Sequence, residues 1–156
     1  MLRILVLCHG NICRSPLAEV LLEAAIAADP ELAGRVSVSS AGTSDEHEGE
    51  GMHVNSAALL AQRGLRTEHR ARRLTPALAA RQDLILAADR FNLRDGRVIT
   101  AATEQKPTVR LLRDFDPQAA GEDLDDPWSY PMEAYQRAAA EILSAIPGIL
   151  MDLKTR

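Results

Sequence analysis

Residues 1–16 read MLRILVLCHGNICRSP: an apolar run from Leu2 to Leu7 that breaks at once into Cys8, a Gly10-Asn11 pair, Cys13 and Arg14. The run is short, rich in Leu, Ile and Val, and bounded by a turn signal, which predicts a strand buried on both faces. Directly after the break, Ser15 as N-cap and Pro16 as first helical residue predict a helix. Leu17, Val20, Leu21, Ala24 and Ala28 recur along it at helical spacing until Asp29-Pro30 stops them. The opening is therefore strand, loop, helix, the unit of a parallel α/β sheet.

The rest of the chain repeats that unit in outline. Residues 35–39 (RVSVS) alternate like a strand, and residues 56–63 have helical composition ending at Gly64, a good helix stop. DLILAA (83–88) and PTVRLL (107–112) read as two more strands. Residues 132–146 are Ala-rich, with Tyr135, Ala138, Ala139, Ile142 and Ile146 on one face, and Pro147-Gly148 is expected to end that helix. Strands alternating with helices predict a single three-layer domain over residues 1–156. Its centre is a four-stranded parallel sheet with helices on both faces and right-handed crossovers. Ligands of such sheets bind at the carboxyl ends of the strands, where the Cys8–Ser15 loop falls.

Bulk properties narrow the function classes. The net charge of −4 gives no global attraction to nucleic acid or anionic lipid. Charge is nonetheless uneven, with DEHEGE at 45–50 and five arginines between Arg63 and Arg73; both segments read as solvated surface. No charged n-region with an apolar core is found, and no apolar stretch approaches the ~18–20 residues of a membrane span. A cytoplasmic location is expected, with neither membrane nor nucleic acid as partner. Two cysteines do not make a disulfide framework, so their chemistry matters more than bracing.

That chemistry is suggested by the loop. Gly10 allows close backbone approach, and the N–H groups from His9 to Arg14 can turn inward as an anion nest at the positive end of the following helix. Arg14 is a planar fork that takes two oxygens of a tetrahedral oxyanion at once. The field that attracts phosphate also favours the thiolate of Cys8, which then lies beneath phosphorus as a nucleophile. Burial of Cys8 as a small apolar residue explains neither Arg14 nor the glycine. Zinc held by Cys8, His9 and Cys13 lacks a second ligand cluster at metal spacing, so neither metal nor cofactor is expected.

CHGNICRSP after LRILVL resembles the active-site loop of the low-molecular-weight protein tyrosine phosphatases. VSSAGT (38–43), EHRARRLT (68–75), DLILAADRFNL (83–93) and DDPW (125–128) resemble that family's segments in the same order. The resemblance implies a protein tyrosine phosphatase acting through a phosphocysteine on Cys8, with Arg14 and the loop N–H groups binding phosphate. It selects Asp126 as the acid that protonates the leaving phenolate and then activates water. The neighbouring Asp125 is the alternative, and Pro127 would stiffen the loop. Asn11, Ser15, Ser40 and His69 match positions that support the loop through hydrogen bonds. Cys13 matches a thiol able to pair reversibly with Cys8.

Three chemistries share the scaffold: phosphotyrosine hydrolysis, phosphoarginine hydrolysis and arsenate reduction. Ile12 stands where the tyrosine-directed members carry a bulky apolar residue and the arginine-directed ones threonine, which favours an aryl phosphate. Reductases with internal thiols need cysteines beyond Cys8 and Cys13; one using an external thiol stays open, as does a binding module without turnover. The chain departs from the family after SAGT, where Glu46 replaces an aromatic wall and His53, Val54 and Asn55 stand for an Asp-Pro-Arg stretch. Trp128 is expected to supply the opposite wall by stacking on a phenyl ring. By analogy, a bacterial tyrosine kinase or its targets would be partners.

Overall fold

The computed structural model describes residues Met1–Arg156. β1 (Leu2–Cys8), β2 (Val36–Gly42), β3 (Leu84–Ala87) and β4 (Thr108–Leu111) form one sheet in the order β2-β1-β3-β4, every pair parallel. Side chains of a strand alternate between faces, and β1 shows why both faces must be covered. Ile4, Val6 and Cys8 pack in one cluster with α1 (Arg14–Ala28), α2 (Val54–Gln62) and α5 (Met132–Lys154). Leu5 and Leu7 pack on the other side with Leu74, α3 (Pro76–Ala79) and the partly buried Leu93 and Ile99 of α4 (Arg90–Ala101). The expected four-stranded α/β arrangement is thus present. After β1 the chain moves to one side for β2, then returns to the other for β3. The carboxyl ends of β1 and β3 therefore flank the point where the winding reverses, which is where a crevice opens.

Three local expectations are corrected. The last helix does not end at Pro147-Gly148 but runs to Lys154. Continuing it fully buries Ile149 and nearly buries Leu153, roughly 3–6 kcal/mol of transfer free energy against about 3 kcal/mol for an interior proline. Gly148 serves packing, because a Cβ there would overlap the Phe115 carbonyl. Secondly, Ser15 is not an N-cap: α1 starts at Arg14, and Pro16 sits in the first turn, where a missing N–H costs nothing. Ala28 of the expected apolar stripe is exposed, while Leu22 and Ile26 are buried.

Thirdly, the reading of residues 45–50 and 63–73 as plain solvated surface fails in part. Arg66 makes a two-pronged contact with Glu23, at 2.9 and 2.8 Å. Arg72 reaches back to the β2 backbone, its Nε donating to the Ser40 carbonyl at 3.1 Å. Glu46 and His47 face a cavity described below. α4 had no counterpart in the sequence reading; Asp89 caps it, accepting from the Asn92 N–H at 2.9 Å. No helix is long and apolar enough to cross a membrane.

Candidate active site

β1 delivers Cys8 to the carboxyl edge of the sheet, and the chain turns back through residues 9–13 before α1 begins at Arg14. The turn requires Asn11 to adopt φ 59°, the left-handed region, where asparagine is among the few tolerated side chains. Asn11 is fully buried, and its polar groups are all engaged. Its Nδ2 donates to Ser15 Oγ at 2.7 Å and Ser40 Oγ at 2.9 Å, and its Oδ1 accepts from the Arg72 N–H at 3.0 Å. Its N–H points at Cys8 Sγ, 3.3 Å away, and its carbonyl lies 2.6 Å from His69 Nε2. A carbonyl only accepts, so Nε2 carries the His69 proton. The sequence-predicted supports Ser15, Ser40 and His69 therefore converge on one residue.

Proton counting fixes the direction of this network. Ser15 Oγ accepts from Asn11, so its own proton is free for Cys8 Sγ, 3.0 Å away. The sulfur thus faces two donors, the Asn11 N–H and the Ser15 hydroxyl. Ser40 likewise accepts from Asn11 and donates to Glu19 Oε2 at 2.9 Å. Burial pushes the Glu19 carboxyl above its ordinary value, with the Ser40 bond opposing that rise. Burial lowers the proton affinity of His69, against its bond to the Asn11 carbonyl. Glu19 and Arg72 were not singled out in the sequence, and no local pattern marks them, since they act through contacts across the fold.

Arg14 is buried to 2% exposure, and two groups hold it. Its Nη1 donates to Asp89 Oδ2 at 2.8 Å and to the Leu124 carbonyl at 2.7 Å. Nε and Nη2 make no hydrogen bond within the protein, so two donors in one plane remain for two oxygens of an oxyanion. Burial alone would lower the Arg14 pKa, but Cys8, Asp89 and Asp126 raise it above the ordinary value. Asp89 is thus both the cap of α4 and the anchor of Arg14, a role the sequence reading missed.

A cavity of about 210 Å³ opens over this loop. The loop residues Cys8 to Gly10 and Ile12 to Arg14 line it together with Glu46, His47, Asp126 and Trp128. Asp126 Oδ2 lies 3.8 Å from Arg14 Nη2, and its Oδ1 accepts from the Trp128 N–H at 3.1 Å. Asp125 does not line this cavity. Trp128 is 47% exposed. His47 packs against it, ring centroids 5.4 Å apart and tilted, and is held by a contact between Nδ1 and Glu50 Oε2. The altered wall is therefore an imidazole beside Glu46, whose carboxylate faces His9 at 3.6 Å. Gly10 leaves room for that imidazole, because a Cβ there would lie 2.9 Å from His47 Cδ2.

Cys13 borders the same cavity and also contacts α5. Its Sγ lies 3.5 Å from Tyr135 Oη, and burial pushes its pKa up to about 11. Tyr135 is fully buried and stacked on His53 at 4.8 Å. His53 caps α2 through Nδ1, which accepts from the Asn55 N–H at 3.1 Å. Both cysteines are free thiols. No group of three or more His, Cys, Asp or Glu side chains is placed to hold a metal ion.

A thiol and a guanidinium fork at the carboxyl end of the first strand of a parallel sheet, with a carboxylate across one cavity, define a thiol-dependent oxyanion-transfer site. The comparisons with known proteins agree with that class. The family model described as low molecular weight phosphotyrosine protein phosphatase matches residues 3–156. A low molecular weight protein-tyrosine-phosphatase of Streptomyces coelicolor is 37% identical over 97% of this chain and 93% of its own length. Protein-tyrosine phosphatase A of Mycobacterium tuberculosis is 35% identical over 95% of this chain and 89% of its own. The crystal structure of DARP, a Drosophila arginine phosphatase, superposes with a TM-score of 0.88 at 27% identity, covering 96% of each chain. The chain belongs to the low molecular weight phosphotyrosine protein phosphatase family, and is an enzyme of that family of hydrolases acting on phosphoproteins.

Proposed function

We propose that the enzyme hydrolyses phosphotyrosine in proteins through a phosphocysteine on Cys8. The observation that carries this reading is the shared cavity: the Cys8 sulfur, the two free donors of Arg14 and the Asp126 carboxyl all border the same 210 Å³. In the first step the Cys8 thiolate attacks phosphorus and the bond to the phenolic oxygen breaks. Asp126 gives its proton to that oxygen. Arg14 and the loop N–H groups hold the equatorial oxygens, on which charge builds in the transition state. In the second step the Asp126 carboxylate takes a proton from water, whose oxygen attacks phosphorus. The S–P bond breaks, inorganic phosphate leaves, and the thiolate is restored, with the Ser15 hydroxyl and the Asn11 N–H as its donors.

The choice of phosphotyrosine rests on Ile12 and Trp128. Ile12 is buried, lines the cavity and offers apolar contact. Trp128, in tilted contact with His47, offers an aromatic face at the cavity on which a phenyl ring can stack. Phosphoarginine is the second reading, favoured by the likeness to an arginine phosphatase of known structure; a guanidinium, however, gains nothing from the Ile12 side chain. Arsenate reduction by internal thiols would need a third cysteine. The enzyme acts in the cytoplasm on tyrosine-phosphorylated proteins, a bacterial tyrosine kinase among them. Turnover of p-nitrophenyl phosphate, a phosphotyrosine peptide, phosphoarginine and arsenate by wild type and Cys8→Ser tests the assignment. The expected result is hydrolysis of the two aryl phosphates, abolished in the variant. Faster turnover of phosphoarginine than of phosphotyrosine contradicts the substrate, and phosphate binding without any turnover contradicts the activity.

A further inference from the structure

The residues from Asp125 to Pro127 form a partition with a cavity on each side. The nucleophile cavity is one; the other, about 320 Å³, lies between this loop and α5. Asp126 borders both. Nothing in the proposed reaction uses the second cavity.

Its lining has three parts. Pro127, Ala134 and Ala138 make an apolar floor. Tyr130, 64% exposed, stands as an aromatic wall. Asp125 and Glu141 bring two carboxylates against one guanidinium, Arg137, which forms no ion pair with either, while the third carboxyl, Asp126, faces Arg14 at 3.8 Å. Asp125 has no cationic partner within ion-pair distance. Glu141 has only Arg113, at 3.8 Å, and Arg113 lies closer to Glu122, at 3.2 Å. Burial pushes the Glu141 carboxyl up first; among its neighbours Arg113 and Arg137 oppose that rise, while Asp125 and Glu122 add to it. The side facing the cavity thus carries excess negative charge that a cation would offset.

An apolar floor, an aromatic face and an acidic rim match one kind of side chain, a long aliphatic stem with a charged head. We propose that this cavity is a substrate subsite that takes an arginine or lysine flanking the phosphotyrosine of a protein substrate. The inference rests on the phosphotyrosine reading above. The stem lies over Pro127, Ala134 and Ala138, the cationic head meets Glu141 and Asp125, and Tyr130 covers it. Because the subsite lies on one side of the Asp-Pro partition, the preference falls on one side of the phosphotyrosine only.

The test is a set of phosphotyrosine peptides with arginine, alanine or glutamate placed in turn on either side, given to wild type, Glu141→Gln and Tyr130→Ala. p-Nitrophenyl phosphate, which has no flanking residues, serves as control. Arginine at the favoured position is expected to raise kcat/KM about threefold to tenfold over alanine, as a half-exposed ion pair plus a cation–π contact allows. Glutamate there should lower it. In each variant the arginine preference should shrink to less than about twofold while p-nitrophenyl phosphate turnover stays at the wild-type level. Equal turnover of the three peptides by wild type at every position, or a preference left intact in both variants, overturns the subsite. Failure of wild type to hydrolyse p-nitrophenyl phosphate would instead overturn the phosphatase reading beneath it.

Discussion

Two loops face each other across the cavity and are built in opposite ways. The Cys8–Ser15 loop is buried from Asn11 through Ser15, and its central residue, Asn11, has every polar group engaged. The Asp125–Tyr130 loop is largely exposed: the Asp126 side chain is 49% exposed, and one of its few side-chain bonds is the turn to Trp128. The difference follows the chemistry asked of each. An oxyanion cradle stabilises charge only if its dipoles are already in place, so it is worth holding in an unfavourable backbone conformation. An acid that must meet a leaving group, then a water, needs access; its loop also holds one left-handed residue, Ser129 at φ 66°, but is tied by few side-chain bonds.

The contrast can be broken at several points, in decreasing order of effect. Arg14→Lys keeps the charge but loses the fork and the Asp89 and Leu124 anchors. It should lower kcat/KM about a hundredfold to a thousandfold for every phosphate ester, whatever its leaving group, as steady-state kinetics will read. Asp126→Asn should lower kcat/KM, which reports the first step, about a hundredfold for phenyl phosphate, a poor leaving group, and much less for p-nitrophenyl phosphate. If Asp125→Asn shows that signature instead, the acid is misassigned. Asn11 separates backbone strain from hydrogen bonding. Asn11→Gly relieves φ but removes the bonds to Ser15, Ser40 and Arg72, while Asn11→Ala also imposes the strain. Denaturant unfolding should find Asn11→Ala less stable than Asn11→Gly by about 1 kcal/mol, both falling below wild type.

The smallest expected effect lies outside both loops. Burial lowers the pKa of His53, whose Nδ1 must be unprotonated to accept from Asn55. A base with a lowered folded pKa binds more protons unfolded, so its stability is present above the unfolded value, ~6.5, and is lost as pH falls below it. Losing this cap should cost about 1 kcal/mol, and His53→Asn, which caps at any pH, should remove the dependence.

What the sequence revealed and hid divides along the same lines. The nucleophile loop was legible because its determinants are contiguous: an apolar strand, a glycine, an arginine at fixed spacing, then Ser-Pro. Even so, Ser15 was misread as a cap, since its partners Cys8 and Asn11 become visible only when the loop closes. Asp89, Glu19, Arg72 and Tyr135 were not legible, because each reaches the site through packing between elements distant in sequence. α4 went unrecognised because Gly96 and the β-branched Val98-Ile99-Thr100 weaken its local helical signal. In the fold that glycine lets α4 approach β1 closely, since a Cβ there would lie 2.9 Å from the Leu7 side chain, which would have to shift. Pro147 misled for the complementary reason, a strong local stop outweighed by the burial of Ile149 and Leu153.

The claim on which the rest depends is that Cys8 carries the phosphoryl group between two chemical steps. Asp126→Asn should slow the second step, for which it is the base, so the intermediate should accumulate with p-nitrophenyl phosphate, whose departure needs little acid. Acid quenching during turnover, followed by mass spectrometry of peptides, reads it directly. One added phosphoryl group is expected on the peptide holding Cys8 and Cys13, absent when Cys8→Ser is introduced into the same variant. A phosphoryl group on any other residue, or one that survives loss of Cys8, would contradict it.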